Sequence, residues 1–90
     1  MKILFQGDSI TDSQRIKDDS GDMGKGYARF VNADLGFEFP NEYKFINKGV
    51  SGNTVVDVYS RIKKDILNIK PDYMSILIGV NDTWHEINKQ

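Results

Sequence analysis

Lys2-Ile3-Leu4-Phe5-Gln6-Gly7-Asp8-Ser9-Ile10-Thr11 opens the chain, and the rest is read outward from it. Ile3-Leu4-Phe5 is a continuous apolar run, the pattern of a strand buried on both faces of a sheet. Lys2 to Gln6 is therefore expected to be a first strand. Gly7-Asp8-Ser9 then puts a hydroxyl just past its carboxyl end. Open α/β sheets bind and transform their ligands at that edge.

Downstream the pattern alternates. Asp8 to Gly26 is polar, contains Gly21, Gly24 and Gly26, and reads as a long loop. Tyr27, Phe30, Val31, Asp34 and Leu35 keep a helical rhythm, with Gly36 as the stop. Phe37 to Asn41 is a connector with apolar anchors, and Tyr43 to Asn47 a second strand. After Gly49-Val50-Ser51-Gly52 a second helix begins, capped by Asn53 or Thr54, and Thr54-Val55-Val56-Asp57 has the form of a capping box. Val55, Tyr59, Ile62, Ile66 and Ile69 make one apolar stripe, read as core packing, and Pro71 marks the end of that helix. Tyr73 to Ile78 is a third strand, apolar enough to be buried.

Strands alternating with helices give β-α-β-α-β, hence an α/β fold with a parallel sheet and right-handed crossovers. Ninety residues make one domain at most, spanning 1–90. Two crossover helices cannot cover both faces of a wide sheet, so the expectation is part of a larger domain. The third strand then presents an apolar edge open to pairing with another chain.

Composition narrows the function. The chain is 39% hydrophobic and 28% charged, as in a globular domain, and its net charge of -1 gives no attraction for nucleic acid or an anionic membrane. Lys17-Asp18-Asp19 and Lys63-Lys64-Asp65 read as solvated faces. Without cysteine there is no disulfide or thiolate chemistry, and one histidine cannot build a multi-histidine metal site. No cofactor or metal is expected. No signal-like or membrane-spanning stretch is visible, so a cytoplasmic location is the default expectation, with secretion open if a leader has been removed.

Ser9 alone would read as a turn or cap residue. Two further strand ends change that. Gly52 follows the second strand and Asn81, in Gly79-Val80-Asn81-Asp82, follows the third. The N–H groups of Ser9 and Gly52 and the Asn81 amide make three donors, as needed around the oxyanion of an acyl-transfer intermediate. Two other classes stay open. Ser9, Thr11 and Ser13 suit a phosphate- or FMN-binding flavodoxin-like module, although a helix starting only near Gly26 would not aim its dipole at Ser9. A non-catalytic fragment self-associating through the third strand is the other.

Gly7-Asp8-Ser9-Ile10-Thr11, Gly52 within Gly-Val-Ser-Gly-Asn, and Gly79-Val80-Asn81-Asp82 resemble, in order and position, the first three sequence blocks of the SGNH (GDSL) hydrolases. The resemblance runs from Lys2 to about Asp82. It implies a flavodoxin-like three-layer α/β/α sandwich, with a five-stranded parallel sheet ordered 2-1-3-4-5, of which this chain supplies the 2-1-3 part. It implies that Ser9 is the nucleophile of an esterase or lipase. It also implies an oxyanion hole from the Ser9 and Gly52 N–H groups and Asn81, with Asp8 fixing the turn. The substrate would be a small acyl ester such as an acetylated carbohydrate or lysophospholipid.

The family's base is a histidine in a later Asp-x-x-His block. Asp82-Thr83-Trp84-His85 has those letters, but it leaves the strand end that already supplies Asn81, so the match is read as coincidence. Trp84 suits a pocket wall or core cover equally. Lacking a base, the 90 residues alone are expected to have little or no esterase activity.

Overall fold

A computed structural model describes residues 1–83. Its elements are β1 (Lys2–Gly7), α1 (Ser9–Asp12), α2 (Tyr27–Glu38), β2 (Lys44–Asn47), α3 (Val55–Ser60), a π-helical turn (Lys63–Leu67) and β3 (Tyr73–Leu77). The three strands form one parallel sheet in the order β2-β1-β3. Ile3 faces Phe45 on one side and Tyr73 on the other. All three carboxyl ends therefore lie along one edge.

The alternation of side chains along β1 builds two cores. Leu4 and Ile46 pack with Val58 and Ile66, with Ile62, Ile69 and Ile78 around them. Phe5 packs with Met23 and Ala28, joined by Ile3, Tyr27, Val31 and Phe45. One face is thus covered by α3 and the π-helical turn, and the other by α2. The expected incomplete α/β/α sandwich with strands 2-1-3 is what the chain forms.

Several local expectations are corrected. Asp8 to Gly26 is not all loop, because Asp8 caps a one-turn helix that starts at Ser9. Gly36 does not stop α2; the helix continues to Glu38, and Phe39 ends it by donating its N–H to Leu35 O at 2.8 Å. Glycine in a helix interior costs only about 1 kcal/mol, and the flanking turns absorb it. Phe37 is consequently helical and exposed rather than an anchor.

The second helix is broken. α3 stops at Arg61 and resumes as a π-helical turn. Within α3 Val58 is buried while Val55 and Tyr59 face outward, so the buried stripe runs through Val58, Ile62, Ile66 and Ile69 rather than through Val55 and Tyr59. The Thr54–Asp57 capping box is present, with both reciprocal bonds. Asp65 is buried against Arg61 at 2.9 Å rather than solvated, whereas Lys63 and Lys64 are exposed. β3, apolar enough to be buried, is exposed along its whole length, as expected of an open apolar edge. Among the described residues it pairs only with β1, and the helices cover the centre of the sheet rather than this edge.

Candidate functional site

The first site segment is the turn from β1 into α1. Asp8 is buried, and its Oδ1 accepts the Ile10 N–H at 3.0 Å. That bond satisfies one of the donors every helix start leaves open. The Asp12 N–H reaches Asp8 O and the Ser13 N–H reaches Ser9 O, both at 2.8 Å. Ser9 is the first residue of this turn and is exposed. Thr11 is buried under it and its hydroxyl meets Tyr27 Oη at 2.7 Å, so Tyr27 is a packing residue, also set edge-on to Phe5.

The second segment, after β2, is bound tightly to the first. Val50 N–H donates to Gly7 O at 3.0 Å. The buried Asn47 amide donates to Thr11 O at 2.8 Å and Met23 O at 3.1 Å, and its Oδ1 accepts the Gly49 N–H at 2.9 Å. A Cβ on Gly49 would lie 2.5 Å from Asp12 N, so the two backbones approach in a way only glycine allows. Gly52 differs. Its φ is +84°, and a Cβ there would meet nothing within 4 Å. Glycine is needed at that position for its backbone conformation, and its surface is open.

The third segment follows β3. Asn81 Nδ2 donates to Asn53 O at 3.0 Å, and the Asp82 carboxylate accepts the Val55 N–H at 3.0 and 3.3 Å. An amide nitrogen has two protons, so this bond orients the Asn81 side chain and leaves a second donor. Below the rim, Arg61 donates from Nε to Asn53 Oδ1 at 2.9 Å, from one terminal nitrogen to Lys48 O at 2.8 Å, and from the other to Gly7 O at 3.4 Å. One guanidinium therefore braces the ends of β1 and β2 and the loop around Gly52.

These bonds bring the segments bearing Ser9, Gly52 and Asn81 to one rim of the sheet. Trp84 and His85 lie outside the described residues. Among the described residues Ser9 Oγ makes no hydrogen bond, and no group of three or more His, Cys, Asp or Glu is arranged to hold a metal ion. Among the same residues no helix is long and apolar enough to cross a membrane. The helix begins at Ser9 rather than Gly26, which corrects one argument made against a phosphate module, but one turn carries too small a dipole to make an anion site.

Sequence reasoning did not single out Asp12, Asn47 or Arg61. Of these, Asn47 entered only as the last residue of the second strand. What distinguishes them is their loop-to-loop bonding, which no local pattern encodes. β2 is only four residues long, and its burial rises along it to Asn47 rather than alternating, so no local pattern marks Asn47.

The family model for GDSL-like lipases/acylhydrolases matches residues 5–90. An acetylxylan esterase from Geobacillus stearothermophilus is 42% identical over 90 residues, covering 94% of this chain and 41% of that protein. The crystal structure of Axe2, an acetylxylan esterase from the same organism, superposes with a TM-score of 0.89 at 41% identity, over 98% of this chain and 42% of the other. An alpha/beta hydrolase from the metagenome of Lake Arreo, Spain, superposes with a TM-score of 0.90 at 39% identity, over 98% of this chain and 43% of the other. The chain thus spans less than half the length of these relatives.

Proposed function

Because this chain belongs to the GDSL-like lipase/acylhydrolase family, we propose that its rim is the nucleophile-and-oxyanion half of a serine esterase. Ser9 Oγ attacks the carbonyl carbon of an acyl ester. The Ser9 N–H, the Gly52 N–H and the second Asn81 N–H receive the oxygen that becomes negative. The alkoxide leaves with a proton and the acyl group stays on Ser9 until water releases it.

The observation that carries this reading is the set of bonds joining the three strand-end segments, from Asp12 to Ser51 and from Asn81 to Asn53. A serine serving only as a turn residue would not require the ends of β2 and β3 to be tied to its own.

The substrate class we propose is an acetylated carbohydrate. It rests on the similarity to the acetylxylan esterase of Geobacillus stearothermophilus. Catalytic mutants of that esterase replace a serine, an aspartate or a histidine. By that analogy, the proton acceptor for Ser9 is a histidine three residues after an aspartate, in the part of the relatives' length that these 90 residues do not span. The 90 residues alone would then turn over slowly if at all, since a triad lacking a member loses rate by orders of magnitude.

The test is hydrolysis of p-nitrophenyl acetate and acetylated xylo-oligosaccharides by the intact protein that carries this chain. Ser9→Ala should lower kcat by roughly a thousandfold or more, and fluorophosphonate should label Ser9 covalently. A Ser9→Ala protein as active as its parent would end the proposal.

A further inference from the structure

Asp12 takes no part in the reaction just described, yet its surroundings are costly. Its side chain is 6% exposed. Oδ2 accepts the Ser51 N–H at 3.1 Å and the Ser51 hydroxyl at 2.7 Å. Among the described residues Oδ1 has no hydrogen-bond partner. The nearest cation, Arg15 Nε, is 3.9 Å from Oδ1 and spends its hydrogen bond on Gly49 O at 3.0 Å. A buried carboxylate with an unpaired oxygen is expensive to keep. Both of the bonds it does make go to one residue, the one before Gly52.

Gly52 cannot hold itself in place. It is exposed, its φ is positive, and nothing lies within 4 Å of the direction a side chain would take. The direction of its N–H is set by the peptide plane joining it to Ser51. Pinning both the N–H and the hydroxyl of Ser51 fixes that residue at two points. The pin comes from the helical turn that begins at Ser9.

We infer that Asp12 is a positioning residue for the oxyanion hole, holding the Gly52 N–H at a fixed place relative to Ser9 through Ser51. This rests on the proposed roles of Ser9 and Gly52. A donor aimed before the reaction contributes in the transition state, where charge develops on the carbonyl oxygen, and little in the ground state. Loss of the clamp should therefore appear in kcat and not in KM.

The experiment uses the intact protein with p-nitrophenyl acetate, and compares Asp12→Ala, Asp12→Asn, Ser51→Ala and the Asp12→Ala/Ser51→Ala pair. Asp12→Ala should lower kcat about tenfold to a hundredfold with KM within about twofold, a part of the loss seen when an oxyanion donor is removed. Asp12→Asn retains one acceptor oxygen and should recover part of that loss. The double variant should be no slower than Asp12→Ala alone, because both changes break one clamp. If Asp12→Ala does not fold, Ser51→Ala, which keeps the backbone bond, carries the kcat measurement. Unchanged kcat in the folded variants, an effect confined to KM, or losses that multiply in the double variant would overturn the inference. Full activity in Ser9→Ala would instead mark failure of the underlying reading.

Discussion

Two seams join the strand-end segments, and they are built differently. The seam between the Ser9 turn and the loop after β2 is internal: Asp8, Thr11, Asp12, Asn47 and Gly49 are all buried. The seam between that loop and the segment after β3 is superficial. Asn53, Asn81 and Asp82 are half-buried, and the Asp82 bonds to Val55 are exposed. Hydrogen bonds gain more when water is kept out and cost more when one partner is removed. The relation of Ser9 to Gly52 is thus fixed by the core of this chain. The relation of Asn81 to both depends on weaker bonds and on an edge strand with exposed side chains.

The sharpest way to break the contrast is at Asn47. Its amide answers three buried backbone groups, Thr11 O, Met23 O and Gly49 N. Asn47→Ala should cost about 3 kcal/mol, since each buried group left unpaired costs roughly 1–3 kcal/mol. Urea denaturation of the intact protein measures it, and a cost near zero would mean that the inner seam is not sealed from water.

Asp82 probes the outer seam. Its carboxylate serves the first N–H of α3, a cap supplied from another segment. Asp82→Ala should cost about 0.5–1 kcal/mol, in the range of exposed cap substitutions. A loss as large as that of Asn47→Ala would erase the distinction between the two seams.

The smallest effect is expected from acid. The half-buried Asp22 carboxyl is held below its ordinary value, first by the Ile16 N–H and then by the Gly24 N–H. A lowered folded-state value means that the ionised carboxylate stabilises the segment between α1 and α2. That contribution is complete above the ordinary value of 3.8 and fades as pH falls through the lower folded value. Hydrogen exchange at the Ile16 and Gly24 amides should rise, relative to Asp22→Asn, only below the ordinary carboxylate range. The inner seam should be unmoved there, and joint loss of protection would show that the two regions open together.

Much of the fold was legible because it depends on local pattern. Ile3-Leu4-Phe5 could only be an inner strand, and Thr54 with Asp57 could only start a helix. The break at Arg61 was not legible. The stripe through Tyr59 and Ile62 fits an unbroken helix, but Arg61 is drawn to carbonyls at the ends of β1 and β2 that no helix rule contains. The exposure of β3 follows from what its neighbours leave open: apolar composition shows what a strand can bury, whereas its neighbours determine what it does bury.

By itself the sequence determined the order of the three strands and the two crossover helices, the parallel sheet, and the three strand-end segments with their chemistry-bearing residues. It did so because apolar periodicity and caps act over a few residues. The tertiary structure alone decided which side chains tie those segments together: Asp12 to Ser51, Asn47 to Thr11, and Arg61 to Gly7. These bonds join residues 36 to 54 positions apart, and such partners are chosen by where packing brings the backbone and not by any neighbour in the chain.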